Sequence, residues 1–131
     1  MTTTAPTTTR DRLLRLAMRA DAVMTGLAGL AALPLAGMLA EMSGTTTTIE
    51  YSLAAFFIVY GVVVFGLAAL PSVRRAGLAV IAANILYTVA AVLVVVTDVW
   101  SMTTTGVVLT LATGVYTAVF AELQYVGWRR I

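Results

Sequence analysis

The chain has 131 residues, 60% of them apolar and only 11% charged, with a mean hydropathy of +0.97. A soluble domain of this size carries about a quarter of its residues charged, so this is a membrane composition and an ordinary soluble enzyme is excluded. Cysteine and histidine are both absent, which removes disulfides, thiol redox relays, imidazole-based catalysis and the usual zinc and haem ligands.

All eight basic residues are arginines and they fall in three groups: Arg10, Arg12, Arg15 and Arg19; then Arg74 and Arg75; then Arg129 and Arg130. Residues 1–9 form a threonine-rich tract with no apolar period, expected to be a disordered tail ahead of a membrane domain over 10–131. Arg12, Arg15 and Arg19 share one helical face with apolar neighbours, so this segment is expected to lie on an anionic lipid surface before turning into the first span. From Ala22 to Ala40 no residue is charged, and the run would rise about 28 Å as a helix, close to the thickness of the hydrocarbon layer. Its length argues against a cleaved signal peptide. Pro34 within it is expected to kink the helix, with Gly37 easing the bend.

A polar turn at Gly44–Thr48 precedes the uncharged stretch Tyr51–Leu70, which Pro71 should end. Gly77–Thr97 is a third such stretch, closed by Asp98 and Trp100. Thr103–Ala121 is the fourth, followed by Glu122, Tyr125, Trp128 and the last arginines, an interfacial signature. The pattern predicts an all-α membrane bundle of four transmembrane helices at about 21–41, 51–71, 76–97 and 102–123. Basic residues are retained on the cytoplasmic side, and the three arginine groups fall where four spans put both termini and the middle loop. Glu41, Glu50 and Asp98 occupy the other two loops. A multi-pass protein of the cell membrane with both termini cytoplasmic is therefore expected.

Packing faces are legible as well. Asp21, Thr25, Ala28, Ala32, Ala36 and Ala40 recur at helical steps with Gly29 beside them, and Thr103, Gly106, Thr110, Thr113 and Thr117 form a seam on the last span, continued by Gln124. Small residues allow close approach between helices in lipid, so both stripes should face the bundle interior. The threonines either line a path for an ion or solute or return their hydroxyls to their own helix. Asn84, buried well inside the third span, is either a pocket element or interhelical glue, bonding to Thr25, Tyr60 or a backbone carbonyl. Asp21 and Glu122 stand near the inner ends of the first and last spans among Arg15, Arg19, Arg129 and Arg130. They are expected to form a charge clamp, Arg15 or Arg19 reaching Glu122 and Arg129 reaching Asp21. A proton-carrying role for either carboxylate is the alternative, opposed by the arginines expected beside it.

The segments Arg15-Leu16-Ala17-Met18-Arg19-Ala20-Asp21-Ala22-Val23, Ala83-Asn84-Ile85-Leu86-Tyr87 and Phe120-Ala121-Glu122-Leu123-Gln124-Tyr125-Val126-Gly127-Trp128-Arg129-Arg130 resemble a group of uncharacterised small four-span bacterial integral membrane proteins. That resemblance covers nearly the whole chain after the tail and implies the same topology and a bacterial inner membrane, but no activity. Small multidrug resistance transporters share the span number, yet their mid-span glutamate has no counterpart in the first span here. No phosphate-binding loop, metal-ligand spacing or nucleophile motif is present. The expected function is therefore that of a non-enzymatic membrane protein with no cofactor and no nucleic-acid partner. It would sit in the lipid bilayer and act through helix contacts with a second copy or a membrane-protein partner; the alternative is a small transporter or channel with a Thr/Asn-lined path.

Overall fold

A computed structural model describes residues 10–131. Four α-helices make up almost all of this stretch: α1 (Arg12–Ser43), α2 (Thr47–Leu67), α3 (Arg74–Thr97) and α4 (Thr104–Arg129). Each is long and apolar enough to cross a membrane. The expected tail, residues 1–9, lies outside the described residues.

The helix ends differ from the sequence expectation in instructive ways. The basic segment does not turn on a surface before the first span, because α1 starts at Arg12 and runs unbroken to Ser43, about 48 Å at 1.5 Å per residue. The helix continues through Pro34. At the far end α1 stops at Gly44, whose left-handed φ of 73° suits glycine. Thr46 caps the N-terminus of α2 by accepting from the Ile49 amide, so α2 begins four residues before the expected start. It also ends before Pro71: the Arg15 guanidinium takes up the chain's next carbonyls, donating to Ala68 O (2.9 Å), Leu70 O (2.6 Å) and Pro71 O (3.0 Å). A cation at a helix C-terminus also meets the negative end of the helix dipole. α4 outlasts its expected limit by running on to Arg129.

α1 packs along both α2 and α4, and α4 packs along α3. The α1–α2 contact is closest where small residues meet. A Cβ on Gly29 would lie 2.7 Å from Ala54 O, and one on Gly61 would lie 2.7 Å from Ala22 O, so both positions are usable only without a side chain. Ala22, Gly29, Ala36 and Ser43, all buried, recur every seven residues, the spacing that keeps one seam facing a partner in a left-handed pair. Of the stripe read from the sequence, Ala36 and Ala40 are buried and Ala32 half-buried, but Ala28 is exposed, because Gly29 rather than Ala28 lies on that heptad.

The α2 and α3 backbones do not approach closely. Side chains bridge them, Phe57 against Tyr87 with ring centroids 6.0 Å apart. At one end of the bundle Leu14 packs on Gly127 and Gly77, bringing the two arginine-bearing chain ends and the middle loop together. At the other end Thr103 caps α4 and ties it to α1, its amide donating to Ser43 O (3.0 Å) and its hydroxyl to Met42 O (2.6 Å). The former is called here the arginine end and the latter, with Glu41, Glu50 and Asp98, the acidic end.

Candidate functional site: a buried carboxylate core

Asp21 lies on α1 nine residues from its start, about 14 Å into the helix, and has no exposed surface. Five side chains donate to its carboxylate. Oδ1 accepts from Thr25 Oγ1 (3.0 Å) and Tyr116 Oη (3.0 Å). Oδ2 accepts from Tyr60 Oη (2.6 Å), Asn84 Nδ2 (3.1 Å) and Gln124 Nε2 (3.0 Å). These donors come from all four helices, so a single carboxylate holds the whole bundle in register.

Every one of the five donors is neutral. Burying an ion costs several kcal/mol, and each hydrogen bond to a charged group contributes about 1.5–3 kcal/mol, so five of them suffice to offset that cost. They spread the negative charge without cancelling it. The only ion pair among the described residues is elsewhere, between Arg15 Nη2 and Asp11 Oδ2 at 2.9 Å.

The expected charge clamp is therefore corrected. α1 and α4 are neighbours, as it required, but Asp21 turns inward to amides and phenols while Glu122 is exposed on the outside of α4. The reason is helical phase: Thr117, Ala121 and Gln124 carry the inward face, and Glu122 stands about 100° around the helix from Ala121 and further from Gln124. Arg15 serves the C-terminal end of α2, Arg19 is exposed, and Arg129 lies over the Tyr125 ring at 5.7 Å. Asn84 does bond across helices, to Asp21 and to Gln124 Oε1 (2.9 Å) rather than to the partners expected from sequence.

The threonine seam behaves in two ways. Thr113 and Thr117 return their hydroxyls to Thr110 O (2.7 Å) and Gly114 O (2.9 Å), and Thr110 donates to Met102 Sδ (3.4 Å). Across the α3–α4 contact, Tyr87 Oη donates to Thr113 Oγ1 (3.0 Å), and the Thr88 and Thr117 hydroxyls lie 2.6 Å apart. Thr88 also faces Asn84 O (3.1 Å), so hydroxyls continue from the Asp21 core toward the acidic end. From Gln124 to Thr113 this polar face extends about 16 Å along α4. Gly106 is buried where α4 meets Ser43.

The sequence points to arginine partners for Asp21 and singles out none of its five donors as such. It does place Thr25 and Gln124 on inward faces and Asn84 inside a span, whereas Tyr116 carries no signal beyond its place in an apolar run. Compared with known proteins, the chain matches no described family, no curated protein and no solved structure. Any functional reading rests on the chemistry of this core.

Proposed function

We propose that the chain is a small multi-pass membrane transporter, non-enzymatic, with its arginine end cytoplasmic and Asp21 as the carboxylate that takes up a monovalent cation, a proton or a sodium ion, during transport. One observation carries this reading: a fully buried carboxylate is held from all four helices by neutral donors alone. Ionisable groups inside membrane spans generally mark ion or proton pathways, and none of the described arginines forms an ion pair with Asp21. Cation uptake cancels a charge that the protein leaves uncancelled, and because each helix donates to that charge, its loss alters contacts in the entire bundle. The small-residue stripes give no comparable support to a role through partner helices, since Gly29 and Gly61 are occupied by the chain's own α1–α2 contact.

The test is flux in liposomes under an imposed potential, read with an internal pH dye in one arm and labelled sodium in the other. The intact protein should raise one flux several-fold over protein-free vesicles. Asp21→Asn should return it to background, and Tyr60→Phe, which removes one donor and keeps the ring, should lower it partially. Flux equal to that of empty vesicles in both arms, or Asp21→Asn as active as the parent, would overturn the reading.

A further inference from the structure

The two halves of the bundle are filled differently. In the arginine-end half Leu14, Met18, Val64, Ala68, Val73 and Val80 form one buried cluster, with Tyr60, Leu67, Trp128 and Ile131 packed against it. Leu14 and Met18 have no exposed surface at all. This cluster stands between Asp21 and the arginine end, and none of its buried members has a polar side chain. A cation leaving Asp21 in that direction would have to shed all its ligands.

In the acidic-end half Thr117 is the one buried side chain larger than serine among the described residues. The other enclosed residues there are Gly29, Ala36, Ala40, Ser43, Ala54, Ala91, Gly106 and Gly114. Larger inward neighbours such as Leu33, Phe57, Tyr87, Thr110 and Thr113 are only half-buried. Along the α3–α4 side of this half run the Tyr87, Thr88, Thr113 and Thr117 hydroxyls, and Thr88 donates to the backbone carbonyl of Asn84, whose side-chain amide donates to the carboxylate. Hydroxyls can replace water as ligands for a passing cation.

From this contrast we infer that Asp21 exchanges its cation with the acidic-end side alone, through the hydroxyl-lined half, while the Leu14–Met18–Val80 cluster is a closed seal toward the arginine end. The inference deepens the transport reading and rests on it for its meaning, but access can be measured without transport. The chain contains no cysteine, so single cysteines report without a background. Thr113→Cys and Thr117→Cys probe the open half, Met18→Cys and Val80→Cys the seal, and Thr46→Cys and Ser72→Cys mark the two faces. Oriented proteoliposomes are treated with a small membrane-impermeant methanethiosulfonate from one face at a time.

Thr113→Cys and Thr117→Cys should react at least tenfold faster from the face that labels Thr46→Cys than from the face that labels Ser72→Cys, and at least tenfold faster than either seal position from any face. Two positions in each half keep a single misfolded variant from deciding the outcome. Equal reactivity of the two halves, faster labelling from the Ser72 face, or no labelling of either threonine position would overturn the inference. Polarised labelling together with absent flux would leave this access route standing and remove transport, so the two failures are distinguishable.

Discussion

The arginine-end half and the acidic-end half of this bundle are built from the same four helices, yet they solve the packing problem in opposite ways. The first encloses large side chains, Leu14, Met18, Val73, Asn84 and Gln124 among them; the second brings backbones together over glycine, alanine and serine. In lipid the tails are as apolar as leucine, so helices gain little from hiding apolar surface and depend on close contact and hydrogen bonds. Interlocking large side chains give a half that is rigid and shut. Backbone contact over small residues gives one that is held along the α1–α2 line, with hydroxyls along the α3–α4 contact.

The sharpest way to break this comparison is at the α1–α2 line itself. Gly29→Leu sets a side chain against Ala54 O and the Ile58 amide, both backbone groups that cannot turn aside, and should destabilise the fold by about 3 kcal/mol or more. Gly37→Leu, on the same helix with nothing within 4 Å of its Cβ position, should change stability little. Thermal unfolding in detergent checks both, and equal losses would mean that α1 and α2 are not pressed together at Gly29.

Next in size is truncation within the two halves. Met18→Ala should cost about 1–3 kcal/mol, the cavity part of the usual core penalty, because the transfer part is largely missing in an apolar solvent. Leu33→Ala, at a half-buried position in the acidic-end half, should cost less than half as much by the same unfolding measurement. The reverse order would contradict the asymmetry on which one-sided access depends.

Smaller effects separate the core from its surroundings. Asn84→Leu removes one donor to Asp21 and one to Gln124, and should cost about 1–2 kcal/mol, near the upper end for polar contacts between membrane helices. A double-mutant cycle with Gln124→Leu should show coupling, since the two amides bond each other and share one carboxylate oxygen. Glu122→Gln, exposed on α4, should stay within about 0.5 kcal/mol of the parent. A large loss there would restore the charge clamp that the geometry takes away.

Four helices, their order and the inward stripes were legible because uncharged runs, turn residues and small-residue spacing are local signals. Asp21 and Thr25 were placed on an inward face, as they are. What the sequence hid was whom Asp21 meets. Its partners Tyr60, Asn84, Tyr116 and Gln124 lie 39 to 103 residues away, and tyrosines in an apolar run read equally well as interfacial anchors or lipid-facing bulk. Nearby arginines were the obvious alternative, and only helical phase tells Glu122, one residue past the inward face, from Gln124 on it. The early end of α2 was hidden for the same reason, because Arg15 supplies its last contacts from another helix.

The wide spread of those donors along the chain has a consequence for how the protein is made. When Asp21 leaves the ribosome, only Thr25 can follow at once to bond it; Gln124 is added 103 residues later, about 5–20 s at ordinary synthesis rates. For that interval α1 carries a carboxylate that disfavours bilayer insertion by about 2.5–3.5 kcal/mol when central in a span. The nascent first helix should therefore linger in or beside the insertion machinery until α3 and α4 arrive. Chains stalled after residue 70 should cross-link to that machinery far more than full-length chains, and Asp21→Leu should abolish the difference. Equal cross-linking of stalled and complete chains would show that the first helix settles in lipid unaided.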